Sequence, residues 1–475
     1  MAPIDYLIIF AYLAGMVIIG AFFSKQIETH EDEVVAGKSL SSLSAGIARA
    51  ANVAGGSTSV GGTGYGYSMG VTGSWFGISS AMGNWIMVPF ARRIKNILDR
   101  GNFLTIGDFL GYRYGEAARI ISGGLNTIAY AGFVSSQIVA TGTIMHVLLG
   151  WDLKTGMIVT TAIVIVYTIM GGLKAVVYTD YVQIVIIYLG MVFLLLPKSL
   201  NQVGGFSELV ARVPEGFLKF GAMGTLSIVG MLVATGLAFF CCQATYGYLA
   251  ASKNPTVAVR SSILCGVFYI IPAMAVIVIG MACVVLYPDL GSSQDALPTI
   301  IVNLLPVGVV GILFSAIIAA TMSTSDTCLL MSTMCYVQDI YKGFINKEAD
   351  DKQMLKVTRL SMIVLGVLAL LIAMYYPNII GLILWGYSFA VGGLLASVVM
   401  ALYWKRTTNT GALASMFVGG GVHLYLTVTG FYIPAVLISA PLGFIVIVVV
   451  SLLTPKPDVE KYRIYFDDEY QKSIN

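Results

Sequence analysis

Ala50–Gly70, AANVAGGSTSVGGTGYGYSMG, decides how this chain folds, because it lies in a long apolar region and yet resists forming an ordinary helix. Seven of the sixteen residues from Gly55 to Gly70 are glycine, with Ser57, Thr58, Ser59 and Thr63 set among them. Each glycine weakens a helix by about 1 kcal/mol relative to alanine, so the run invites local unwinding. In hydrocarbon, unwound backbone is tolerated only where it is buried in protein or lines a wet cavity. The freed carbonyls and hydroxyls there can replace the water shell of a cation or a polar solute. Small residues four apart also let helices pack closely, and on this stretch alone the two readings stand level.

Outward from it, the composition is that of an integral membrane protein. The chain has 475 residues, 57% hydrophobic and 11% charged, where soluble domains average about 25% charged. Apolar runs of roughly twenty residues recur, long enough to cross a ~30 Å hydrocarbon core. The short alternating segments of an outer-membrane barrel are absent. The pattern predicts an all-α protein of thirteen transmembrane helices near 4–24, 42–70, 73–91, 118–149, 153–172, 176–198, 222–246, 262–287, 307–338, 358–376, 379–403, 410–430 and 433–454. The first lacks a basic leader and reads as a retained helix. All six cysteines (Cys241, Cys242, Cys265, Cys283, Cys328, Cys335) fall inside spans, which argues against a disulfide framework. A net charge of +3 gives no reason to expect a nucleic-acid partner.

The positive charges orient the chain. Of 27 Lys and Arg, four (Lys154, Lys198, Arg212, Lys219) fall in loops on one side, Arg49 lies within a span, and the other 22 lie on the opposite side. The positive-inside rule makes that side cytoplasmic. The N-terminus is therefore expected outside and the tail, 455–475, inside a plasma membrane, the whole forming a single transmembrane domain. The loop NFLTIGDFLGYRYGE, with Asp108 and Arg113, reads as a membrane-surface anchor. The outward segment YPDLGSSQDALPTIIVNLLP reads as either a lid or a connector.

Away from the span ends, three of the 51 charged residues stand within spans: Arg49, Asp180 and Asp326. A charge at the bilayer centre costs on the order of 3 kcal/mol, so each is a candidate functional residue. Asp180 also suits the N-terminal turn of its helix, and Arg49 is expected to snorkel to the inner interface. Asp326 lies in FSAIIAATMSTSDTCLLMSTMC, Phe314–Cys335. Residues three and four apart share a helix face, so Ala320, Ser323 and Thr324 form one strip and Ser323, Asp326 and Thr327 an adjoining one. Hydroxyls, a carbonyl and a carboxylate are hard oxygen ligands suited to a small hard cation. A lone Ser or Thr in such a helix more often bonds back to its own backbone.

Four stretches together resemble the sodium:solute symporter family, which holds proline, pantothenate, sialic acid and glucose cotransporters. They are AGIARAANVAGGSTSVGGTGYGYSMG, TIGDFLGYRYG, GGLKAVVYTDYVQ and ATMSTSDTCLLMSTMCYVQDIYK, in that order. The resemblance implies a leucine-transporter-type fold with five-plus-five inverted repeats (42–198 and 222–403), one peripheral helix before them and two after, at 410–454. It implies a main sodium site of the Ala51 and Ala54 carbonyls with Ala320, Ser323 and Thr324. A second sodium site would use Asp180, Ser323, Asp326 and Thr327, although members with that site carry a small hydroxyl residue where Asp326 stands. That carboxylate would either strengthen the site or pair with Arg49 or with neighbours of Asp180. Solute contacts are implied at Ser57, Thr58, Gly77, Ser80, Phe239 and Phe240. Gln243 lies near them in sequence, and Trp385 and Tyr387 suit gates or walls. Sugar transporters of the family have an acidic residue where Gly77 stands, which favours an amino acid or carboxylate over a sugar.

The function expected is secondary active transport, with inward sodium flow driving solute uptake by alternating access in a monomer within the lipid bilayer. A passive facilitator and a transporter-like sensor are the rivals. An enzyme is not expected, since His30, His146 and His423 are scattered and no hydrolase or metalloprotease motif appears.

Overall fold

Helix α1 spans Pro3–Ser24, and α2, Ser42–Val53, starts on a Ser41 hydroxyl that accepts the Ser44 N–H at 3.2 Å. These come from a computed structural model that describes residues 2–24 and 40–466, the side chains of 13, 16, 17, 19–24 and 170–180 excepted. The glycine-rich stretch breaks as its composition requires. Regular helix stops at Val53, Ala54 and Gly55 form a bend, Ser57–Gly61 is a wide π turn, and α3 resumes at Gly62–Met69. Gly70, at φ 65°, ends it where a Cβ would strike Phe217.

The chain continues through α4 (Trp75–Ile86), α5 (Val88–Gly101), α6 (Ile106–Tyr114), α7 (Glu116–Leu149) and α8 (Leu153–Ile187). Then come α9 (Leu196–Val203), α10 (Phe206–Arg212), α11 (Thr225–Gly236), α12 (Gln243–Ala251) and α13 (Pro255–Leu286). The last set is α14 (Ala296–Leu304), α15 (Val309–Met334), α16 (Asp351–Tyr375), α17 (Ile379–Tyr403), α18 (Asn409–Val428), α19 (Val436–Leu453) and α20 (Glu460–Phe466). Among the described residues nine helices are long and apolar enough to cross a membrane, and no strand is present.

Two features differ from the sequence reading, and a third adds to it. The spans expected at 153–172 and 176–198 are not separated: helical turns run unbroken from Leu153 through a π stretch, Tyr188–Leu195, to Val203. Gly171 and Gly172 loosen a helix, but the first proline is Pro197, so nothing forces a stop. The loop at 102–116 is no surface anchor. Its helix α6 opens with a Thr105–Asp108 capping box and buries Ile106, Phe109, Leu110 and Arg113. Arg113 donates to the carbonyls of Trp404 and Lys405 at 3.3 and 3.2 Å, closing the end of α17, and burial pulls its pKa down from the usual guanidinium value. Asp108 instead pairs with Arg119 at 2.7 Å. Finally, the segment after α13 folds onto the broken helix. Tyr67 donates to the carbonyls of Tyr287 and Pro288, and Gln294 bridges to Pro377 and Ile379.

Two packing devices hold the site helices. Helix α13 crosses α3 backbone to backbone: a Cβ at Gly280 would sit 2.7 Å from Tyr67 N, and one at Gly66 would sit 2.9 Å from the Ile277 carbonyl carbon. Gly280→Ala is therefore expected to lower the thermal unfolding midpoint of the purified protein, since forced overpacking costs about 1–3 kcal/mol. An unchanged midpoint would show that the crossing can slide open. The second device is Asp5 on α1, 1% exposed, whose Oδ1 accepts the N–H groups of Gly308 and Gly311 at 2.7 and 3.0 Å. A carboxylate from one helix thus caps the N-terminus of another, where the orphan N–H groups and the dipole favour it.

Candidate ion and solute site

The break between α2 and α3 leaves two carbonyls open. Ala54 N–H bonds Ala50 O, and the N–H groups of Thr58 and Ser59 both reach Gly55 O. Gly56 N–H is taken by Gln137 Oε1 at 2.8 Å. Among the described residues, no hydrogen bond ends on the carbonyls of Ala51 or Ala54. Both lie in buried residues, 1% and 2% exposed, where a polar group without a partner is costly.

Helix α15 presses its hydroxyl strip against this break. A Cβ on Gly55 would stand 2.7 Å from Thr324 Cβ and 3.0 Å from Gln137 Oε1, and one on Gly56 would stand 2.8 Å from Thr321 Cγ2. Only glycine permits that approach. The Thr324 hydroxyl donates to Ala320 O at 3.0 Å, which leaves its lone pairs pointing outward. Ala320, Ser323 and Thr324 are all buried, and Thr324 stands directly against Gly55 of the bend. Carbonyls and hydroxyls without a soft ligand are a donor set for a hard, weakly polarising cation.

Two residues further along α15, Asp326 is fully buried and accepts the Thr168 hydroxyl of α8 at 2.6 Å. Thr327 Oγ1 is buried with no hydrogen-bond partner among the described residues. The Asp180 side chain lies outside the described residues. Arg49 neither snorkels nor pairs with Asp326. It is 4% exposed and donates to Asn84 Oδ1 at 3.0 Å and to Ser262 and Ser261 at 2.8 and 3.5 Å. It ties α2 to α4 and α13.

The expected solute residues divide. Ser57 receives a bond from Gln137 Nε2 at 3.4 Å, and Thr58 donates to Val53 O and meets the Tyr269 hydroxyl at 3.0 Å. Ser80 is fully buried and lies against the same Tyr269 hydroxyl. Tyr387 packs on Phe133 and Phe239, with ring centroids 4.6 and 6.4 Å away. Sequence reasoning missed Tyr269 and Phe133, because spacing along one helix does not show which of its residues faces another helix. Helix α11 stops at Gly236, and a turn at Ala238–Phe240 precedes α12, so Phe239 stands at a second break.

Four residues are placed otherwise. Phe240 turns away onto Phe90 of α5, 5.0 Å between centroids. Gln243 has no atom to spare for a solute: Oε1 accepts Ile106 N–H at 2.8 Å, and Nε2 reaches Leu104 O and Met334 Sδ at 3.1 and 3.5 Å. Trp385 stacks on Phe389 at 5.4 Å and abuts Gly132. Two residues on a helix lie about 200° apart, so Trp385 and Tyr387 cannot serve one cavity. Gly77 is pressed onto α13, where a Cβ would come within 2.8 Å of Ala273 Cβ.

Comparison with known proteins agrees with this geometry. The model of the sodium:solute symporter family matches residues 34–419. The chain is 31% identical to the high-affinity proline transporter of Bacillus subtilis (strain 168), over 85% of this chain and 88% of that protein. It is 27% identical to the sodium/proline symporter of Escherichia coli (strain K12), over 94% and 92%. Among solved structures, a Na+-coupled sialic acid symporter in a substrate-bound outward-open state superposes with a TM-score of 0.80, at 20% identity, over 96% of this chain and 99% of that one. A nucleobase-cation-symport-1 family transporter, in a closed conformation with bromovinylhydantoin bound, follows at 0.59, with 14% identity over 91% and 97%. The opened helix, the hydroxyl strip set against it, and a family match across most of the chain lead to one conclusion: this protein belongs to the sodium:solute symporter family, whose coupling ion is Na+.

Proposed function

We propose that the chain accumulates a compact amino acid, with proline the first to test, using inward sodium flow and alternating access. The observation that carries this is the open bend at Ala54–Gly55 seated on Thr321 and Thr324 of α15. Sodium held by Ala51, Ala54, Ala320, Ser323 and Thr324 would join the two helices. The joined state would present the solute side of the bend, and release of the ion inward would free α2 to swing. By linkage, sodium must raise solute affinity by the factor that solute raises sodium affinity. Asp180, Asp326 and Thr327 are the candidates for a second ion.

The solute would lie between the Ser57, Thr58 and Ser80 hydroxyls and the Phe239–Tyr387 aromatic wall, with Tyr269 and Phe133 completing it. Hydroxyls on one side suit a charged amino-acid backbone, and ring faces on the other suit a small aliphatic ring. The names of the two relatives favour proline, and the tight seat of Gly77 leaves no room for a sugar-binding carboxylate. In this reading two inverted repeats stand inside peripheral helices. The N-terminus is outside, the C-terminus is cytoplasmic, and one monomer suffices. Transport rather than catalysis is the work of the site.

The test is uptake of labelled proline into proteoliposomes holding the purified chain. An imposed sodium gradient should drive internal proline above the external concentration, and potassium should not replace sodium. Equilibration without accumulation would make the protein a facilitator. Accumulation of another amino acid but not proline would overturn the choice of solute alone.

A further inference from the structure

Where α17 ends at Tyr403 and α5 begins at Val88, the structure holds a cavity of about 450 Å³. Arg92, Arg93 and Lys405 supply three positive charges, and Pro89, Tyr403 and Phe466 form its apolar wall. Among the described residues no carboxylate lines it. Arg93 is committed to α20: its Nη2 donates to Tyr465 O at 2.9 Å, and its guanidinium lies 5.3 and 5.4 Å from the ring centroids of Tyr403 and Phe466. Arg92 and Lys405 are exposed, and neither pairs with a carboxylate among the described residues.

The position is as telling as the charge. Helix α17 is a membrane span, and Lys405 follows its last residue by two, so the cavity lies at the membrane boundary. Met82 and Trp85, 39% and 40% exposed, precede Pro89 by seven and four residues. Met82 and Trp85, three residues apart, share one face of α4, and Pro89 opens α5 directly after it, so exposed apolar side chains lead from the bilayer toward the cavity. A soluble anion would have no use for the stripe. A phospholipid would lay an acyl chain along it and its phosphate among the cations.

We propose that this cavity is a binding site for an anionic phospholipid headgroup, held by Arg92, Arg93 and Lys405. Basic residues at a membrane surface attract such lipids, and guanidinium matches phosphate through paired hydrogen bonds. The test uses the full chain in phosphatidylcholine nanodiscs, adding phosphatidylglycerol or, separately, inorganic phosphate, and reads the melting midpoint and retained lipid by native mass spectrometry. Phosphatidylglycerol should be retained and should raise the midpoint. Arg92→Gln with Lys405→Gln should weaken that retention roughly tenfold or more, while Lys405→Arg keeps it. Both residues are exposed, so the midpoint in pure phosphatidylcholine should stay at the wild-type value. A double variant that retains phosphatidylglycerol as the parent does would overturn the site. Stabilisation by inorganic phosphate equal to that by lipid would overturn the lipid as occupant.

Discussion

Thr324→Ala is expected to abolish sodium-stimulated uptake in proteoliposomes while the protein still purifies folded. The hydroxyl already donates to Ala320 O, so what alanine removes is an acceptor oxygen that stands next to Gly55. A small cation that loses one of five oxygens keeps a strained, partly open shell. Loss of a hydrogen-bond-strength ligand to a charged group is worth roughly 1.5–3 kcal/mol, or about 10- to 150-fold in sodium affinity. Ser323→Ala should act in the same direction, and Thr324→Ser should restore most of the activity. Ser325→Ala is the internal control, being equally buried on the same helix but off the strip. Equal sodium dependence in the Thr324, Ser323 and Ser325 variants would sink the assignment.

Gly55→Ala tests the same site with every ligand left in place. The new methyl would meet Thr324 Cβ at 2.7 Å and Gln137 Oε1 at 3.0 Å, so α15 and the bend must part. Displacement near 1 Å between catalytic or binding groups commonly costs about a hundredfold. Sodium-driven accumulation should fall by a similar factor. The readout that separates packing from chemistry is the concentration of sodium for half-maximal uptake, which should rise steeply. A fall in maximal rate at constant half-saturation would mean instead that the methyl obstructs motion.

The break itself was legible, because glycine and hydroxyl residues in hydrocarbon leave few structural options. So was the Ala320–Ser323–Thr324 strip, which needs only helical spacing. The partner of that strip was reached through family resemblance, since spacing within one helix says nothing about the helix opposite. Gln243 was misplaced for the same reason: its amide closes Leu104 and Ile106, more than a hundred positions away in the chain. Arg49 was expected to reach water, yet Asn84 and Ser262, from two other helices, hold it inside. Trp385 and Tyr387 needed no structure to separate; their helical angle forbids a shared face. The boundary expected between 153–172 and 176–198 has no counterpart in the helix, because no proline or cap stands there to enforce one.

The seat of Asp5 on the first turn of α15 gives that helix a fulcrum. A rod pinned at one end sweeps an arc that grows with distance from the pin. At 1.5 Å per residue, Thr324 lies roughly 22 Å from Val309 and Asp339 roughly 45 Å. A tilt that shifts the ion ligands by a given amount therefore shifts the far end by about twice as much. The same tilt would be amplified at the opposite end, where Asp339 accepts the Thr105 hydroxyl and pairs with Arg119. The leverage would be set by a single carboxylate on a helix outside the proposed site.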